Sequence, residues 1–174
     1  MREPIVTPTG IERFFPEEDI IVSKTDLKGH ITYANETFLN ISGYTEEELL
    51  GQPHSIIRHP DMPRCVFKLL WDTLEARREI FAYVLNMAKS GDHYWVFAHV
   101  TPTFDEFEQV IGYHSNRRVP DRKQVELFTE VYSQLLQEER RHTDWRMGME
   151  AAGKKLLSMI AAKGMEYEEF IFSV

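Results

Sequence analysis

Gly51-Gln52-Pro53-His54-Ser55-Ile56-Ile57-Arg58-His59-Pro60-Asp61-Met62-Pro63 is the stretch around which the chain is organised. Its three prolines fix φ and remove backbone donors, so it is neither one long helix nor a central strand. It reads as a rigid connection of short turns. Ile56 and Ile57 pin it to a core, and His54, Arg58, His59 and Asp61 are left to point somewhere specific. Structured polar connections of this kind are where ligand contacts concentrate. The alternative is a loop whose polar groups satisfy one another.

Working outward, Asp61 is placed to cap the next helix, with Pro63 tolerated in its first turn. That helix carries Val66, Phe67, Leu70, Trp71 and Leu74 on one face and ends near Arg77. Upstream, Thr45-Glu46-Glu47-Glu48 is a capping box opening a brief helix. Asn35 starts another short helix, which Gly43 stops. Before it, Ile20 to Leu27 and His30 to Ala34 read as two strands of a hairpin. The lead, residues 1–18, holds Pro4, Pro8 and Pro16, with one expected helical turn from Ile11 to Phe15.

Downstream lie three strand candidates: Ile80 to Ala88, His93 to Thr103 and Val110 to Arg117. The middle one is apolar at both parities apart from His93 and His99, which implies that both sheet faces are covered. Trp95 and Phe97 share a parity with those histidines, the set expected on the outer face. Asp121, with Gln124 three residues on, opens a long helix bearing Val125, Phe128 and Leu135. A second pattern follows, with Trp145, Met149, Ala152, Leu156 and Met159 as a heptad-like seam. Gly164 breaks it, leaving residues 165–174 as a short tail. The fold class is therefore α+β, with one antiparallel sheet and helices between its strands. The boundaries are a lead over 1–19, a core domain over 20–118 and a helical extension over 119–174.

The 174 residues are 43% hydrophobic and 28% charged, with net charge −8. That balance argues against a nucleic-acid partner or an anionic membrane surface. Cys65 is the single cysteine, so no internal disulfide forms and a reducing compartment suits the chain. No apolar run reaches the length of a membrane span and no signal-peptide core opens the chain, so a cytoplasmic location is expected.

Ile31-Thr32-Tyr33-Ala34-Asn35-Glu36-Thr37-Phe38 followed by Ser42-Gly43-Tyr44 resembles the start of a PAS sensory domain. Gly51-Gln52-Pro53-His54, Arg58-His59-Pro60-Asp61-Met62-Pro63, Trp71 and Lys89-Ser90-Gly91-Asp92-His93-Tyr94-Trp95-Val96 resemble the aerotaxis-receptor branch of that family. The likeness covers residues 20–118. It implies a five-stranded antiparallel sheet in the order 2-1-5-4-3, with helices on one face and the C-terminal helices appended. It also implies a sensor and no catalyst, with FAD between helices and sheet. His54, Arg58, His59 and Asp61 match residues associated with FAD binding in that branch. Asn86 matches an asparagine that bonds the flavin ring, and Trp71 and Trp95 match pocket-side or supporting aromatics. Two positions depart from the branch: Ile80 stands where a tryptophan is usual, and Met87-Ala88 where a basic pair is common.

The alternatives are a cofactor-free or small-ligand interaction module that dimerises, and a haem sensor using His54 or His59 as axial ligand. The expected partners are a second copy, through the sheet face, the lead or the C-terminal helices, and a downstream signalling protein. No metal site is expected, since His93 and His99 lie about 20 Å apart along one strand. No Ser-His-Asp spacing, P-loop or Rossmann glycine pattern points to an enzyme. Cys65, beside Val66 on its helix, reads as an inert half-buried thiol rather than an activated one.

Overall fold

The computed structural model describes residues 6–174, so Pro4 of the lead lies outside the described residues. Strands β1 (Ile21–Thr25) and β2 (Ile31–Ala34) form the first hairpin. Helices α1 (Glu36–Ser42) and α2 (Glu46–Leu49), a 3-10 turn over His54–Ile57 and helix α3 (Arg64–Glu75) follow. Then come β3 (Ile80–Met87), β4 (His93–Phe104) and β5 (Val110–Arg118). The five strands pair antiparallel throughout and their order is β2-β1-β5-β4-β3, as the resemblance implied. Helices α4 (Arg122–Arg140), α5 (Trp145–Ala161) and α6 (Tyr167–Ser173) complete the chain.

Local chemistry sets the short helices. The Asn35 side chain accepts from the Phe38 N–H, caps α1 and also accepts from Val22 N–H while donating to the Ile20 carbonyl. One amide thus ties α1 to β1. Gly43 ends α1 with a φ of 73°, a conformation that glycine adopts without penalty. The capping box of Thr45 and Glu48 is present at α2.

Alternation divides the sheet into two faces. Registers Ile21↔Arg117↔Ala98↔Ala82 and Ser23↔Ser115↔Val100↔Ile80 run across the face toward α1–α3. The opposite face carries Tyr83, Trp95 and Phe97, and the chain's own C-terminal helices cover it. Phe128 of α4 stacks on Tyr83 at 4.4 Å, Tyr132 lies 6.0 Å from Trp95, and Phe172 of α6 meets Phe81 at 4.7 Å. The phenol of Tyr132 donates to the Tyr83 carbonyl, and that of Tyr167 to the Phe81 carbonyl at 2.8 Å. β3 is an edge strand, and these hydroxyls satisfy carbonyls that an open edge would expose.

Four expectations change. Residues 11–15 form no helical turn; Glu12 instead pairs with His93 in a parallel bridge, extending the lead along β4. Asp61 does not cap α3. Pro63 stands at the cap position without a side-chain bond, and the Cys65 N–H is met by the buried Glu139 carboxylate of α4 at 3.0 Å. Asp121 starts α4 but its side chain makes no cap bond, and Gln124 donates to the Val174 carbonyl instead of closing a capping box. The seam of α5 is Gly148, Ala152, Leu156 and Ile160, folded back on α4, with Trp145 exposed; the tail after it is helical, as α6. Gly148 permits that contact, since a Cβ there would lie 2.4 Å from the Glu139 carbonyl oxygen.

Candidate functional site

Between α3, the proline-rich connection and the inner sheet face lies a cavity of about 340 Å³. That size suits a small organic ligand. The proline-rich stretch supplies one wall: prolines at 53, 60 and 63 hold it in turns, and buried Ile57 anchors it. Helix α3 supplies Phe67, Leu70 and Trp71, because the face predicted as core is turned partly toward the cavity. The Trp71 ring packs edge-on against Tyr113 of β5 at 5.3 Å. Gly29, with a φ of 81°, lets the β1–β2 loop approach; a Cβ there would come within 3.2 Å of the Trp71 ring.

Of the residues singled out in the sequence, His54, Arg58, Trp71 and Asn86 line this cavity. His59, Asp61 and Trp95 do not. His59 is buried behind the connection, where its Nδ1 accepts from the Asp61 N–H at 3.1 Å and its ring meets His93 edge-on at 5.9 Å. A backbone N–H only donates, so Nδ1 carries no proton, and burial holds the ring below its ordinary pKa. Asp61 is exposed and sits 3.7 Å from Arg140 of α4. Trp95 lies on the opposite sheet face, against Tyr132, the outer-face position that its parity indicated.

The cavity wall is rich in donors. Asn86 is 4% exposed and its Nδ2 has no hydrogen-bond partner among the described residues. Arg58 sets its guanidinium 4.3 Å from the Phe67 ring and forms no ion pair among the described residues. Sequence reasoning missed a third cation of the wall, Arg117. It is 2% exposed, donates to Ser23 Oγ at 2.6 Å and lies 4.5 Å from the Phe38 ring. Its Nε and Nη1 have no hydrogen-bond partner among the described residues. Burial lowers its pKa to about 10, so it stays charged at neutral pH. Its signal was present: it shares the parity of Tyr113 and Ser115.

His54 completes a polar chain. Its Nε2 lies 3.1 Å from Ser23 Oγ, and its ring stacks near Phe38 at 6.0 Å. Burial, reinforced by the Arg117 charge, pushes the imidazole down to about 3. It is neutral at pH 7 and adds no cation to the site. Among the described residues the lining cations are Lys28, Arg58 and Arg117, and no carboxylate lines the cavity. Cys65 lies outside it, and burial and the nearby Glu139 charge push its thiol up to about 12. Among the described residues no group of three or more His, Cys, Asp or Glu is placed to hold a metal ion. No described helix is long and apolar enough to cross a membrane.

Comparison with known proteins agrees with this geometry. Residues 31–117 match the family described as the PAS fold. The aerotaxis receptor of Escherichia coli K12 is 40% identical over 119 residues, covering 68% of this chain and 23% of the receptor. The nitrogen fixation regulatory protein of Klebsiella pneumoniae is 28% identical over 102 residues, covering 59% of this chain and 21% of that protein. The chain thus spans less than a quarter of either relative. Among solved structures, the dark state of the blue-light photoreceptor Aureochrome1 LOV aligns with a TM-score of 0.56 at 22% identity, over 62% of this chain and 80% of that one. A light-oxygen-voltage domain studied with a flavin analogue also aligns with a TM-score of 0.56, at 21% identity, over 64% of this chain and 83% of that one. At such identities the likeness speaks for a shared fold.

Proposed function

This chain belongs to the PAS-fold family, and from that premise we propose that it is a cytoplasmic sensor module whose cavity holds FAD and whose C-terminal helices report the cofactor's redox state. The observation that carries the reading is the lining itself, which among the described residues has buried donors without partners, three cations, no carboxylate, and aromatic rings from α3 and β5. Unpartnered buried polar groups are costly, and a ligand rich in acceptors satisfies them. FAD offers such acceptors on its ring and its phosphates. Its redox-active ring would supply the electron chemistry when bound.

The residues fit that group in three respects. Asn86 and Arg117 present unmet N–H groups at the buried sheet, where a ring edge would be read. Arg58, half-buried, and Lys28, exposed at the rim, suit phosphate oxygens and stand in for the basic pair that Met87-Ala88 replaces. Phe67, Trp71 and Tyr113 supply rings that Ile80 does not; Ile80 is buried against Leu74 and Tyr113. The kinship to the E. coli aerotaxis receptor supports the sensor reading.

Output follows from β3. Asn86 faces the cavity, while the Tyr83 and Phe81 carbonyls of the same strand accept from Tyr132 of α4 and Tyr167 of α6. A displacement of β3 is therefore felt by both helices. Because α4 and α6 cover the outer sheet face, a second copy would dock through the lead, where Ile11 and Phe14 are exposed, or through α5. The module acts by binding and transmission rather than by catalysis.

The test is chromophore identity. Protein purified with its native small molecules is denatured, and the released compound is identified by absorption and mass. FAD is expected. Haem would favour an axial role for His54, which lines the cavity. A colourless protein that stays colourless after incubation with FAD and washing would refute the cofactor reading in favour of a ligand-poor interaction module.

A further inference from the structure

Arg117 is a buried cation in a poor position for stability. Its neighbours are Ser23, Phe38, the neutral phenol of Tyr94, the neutral His54 and the inner sheet face. None of them carries a negative charge, and among the described residues nothing accepts from Nε or Nη1. A buried charge without an ionic partner destabilises the fold that holds it. Its contacts in the packing, the Ser23 hydroxyl and the Phe38 ring face, supply no counter-charge; the same strand face holds Tyr113 and Ser115, and the paired positions are Ile21 and Ala98.

We propose that Arg117 selects what the cavity accepts: its free N–H groups hold a negatively charged or imide-type acceptor at the buried end of the ligand. The lining around it is consistent with that choice. Asn86 adds a second unmet donor on the sheet, and among the described residues no lining carboxylate competes for either. In a chain of net charge −8, a cavity lined by Lys28, Arg58 and Arg117 is electrically opposite to the rest of the molecule. Cationic ligands are repelled, and purely apolar ones leave Arg117 unmet. The inference deepens the proposed cofactor site and rests on it for the ligand's identity. Its stability consequence stands apart from that identity.

The experiment has two arms. In the first, wild type and Arg117→Met are freed of small molecules and compared by thermal unfolding. Replacing an uncompensated buried charge with an apolar side chain of similar length leaves stability equal or raised. A clearly lower melting temperature for the variant would show that Arg117 serves the fold, and would overturn the proposal whether or not flavin is the ligand. In the second arm, both proteins are titrated with riboflavin, FMN and FAD. Loss of a charge-assisted hydrogen bond weakens binding about 10- to 100-fold. An equal loss for all three places the ring's acceptor edge on Arg117, and a loss confined to FMN and FAD places a phosphate there. Unchanged affinity for every flavin that wild type binds would overturn the proposal. Should wild type bind none of them, the cofactor reading falls and the first arm alone decides this one.

Discussion

Replacing His54 with glutamine removes a pH dependence from folding that the structure lets us size. The ring lies against Ser23 and Phe38 and near Arg117, and its pKa is held at about 3, against 6.5 for a free imidazole. A depressed base binds its proton in the unfolded chain first. Its contribution to stability is therefore complete above pH 6.5 and lost as pH falls toward 3. Between those limits the unfolded state holds about one more proton, so stability declines by about 1.4 kcal/mol per pH unit. From pH 8 to pH 5 the integrated loss is about 2 kcal/mol, an upper figure because the ring faces a cavity that water can enter. Urea unfolding at half-unit steps over that range, on wild type and His54→Gln, isolates the effect. Other buried histidines, such as His59, titrate alike in both proteins and cancel in the difference. The variant is offset by a constant from lost packing, but its stability falls less steeply below pH 6.5. Parallel curves for the two proteins would show that His54 protonates as readily in the folded state as in the unfolded chain, and the electrostatic account of the cavity would be wrong.

Three other outcomes follow from particular bonds. Glu139→Ala leaves the Cys65 N–H at the start of α3 without its acceptor and costs about 1.5–3 kcal/mol in chemical unfolding, whereas Glu139→Gln, which keeps an oxygen there, costs less. Tyr132→Phe strands the buried Tyr83 carbonyl for about 1–3 kcal/mol, and hydrogen exchange should rise in α4 and along β3 together. Gly148→Ala drives a Cβ to 2.4 Å from the Glu139 carbonyl oxygen, so α5 separates from α4. Limited proteolysis between residues 141 and 145 should then accelerate, and an unchanged cleavage rate would show that the helix pair accommodates the methyl.

Much of the sheet was legible because its information is local. Aromatic and β-branched runs over residues 80–88 and 93–103, separated by the turn at Ser90-Gly91, mark strands, and the two-sided apolar pattern of β4 announced a second covering layer. Asn35, Gly43 and the Thr45–Glu48 box sit within a few residues of what they cap, so their roles were readable. The cap of α3 was not, because its acceptor, Glu139, lies 74 positions away and no rule of local spacing reaches it. Asp61 was the nearest candidate, and the chain did not use it. At the site, His54, Arg58, Trp71 and Asn86 were identified through the family likeness, and geometry brings them to one cavity. His59 belongs to the wall behind it. Arg117 escaped notice because an arginine beside Arg118 at a strand end reads as solvated; its parity with Tyr113 and Ser115 was the available clue. The α6 helix was hidden because its capping box uses Glu166 and Glu169, where a hydroxyl at the cap would have been the usual signal.

The claim that the cavity between α3 and the sheet holds the flavin is tested most directly by filling it. Ala98 lies at its floor on β4, 3% exposed and paired with Arg117. Flavin fluorescence is followed as FAD is titrated into wild type and Ala98→Phe, with circular dichroism confirming that both are folded. The account predicts saturable quenching by wild type and none by the folded variant. Equal quenching by both would place the flavin elsewhere, or nowhere specific, and would contradict it.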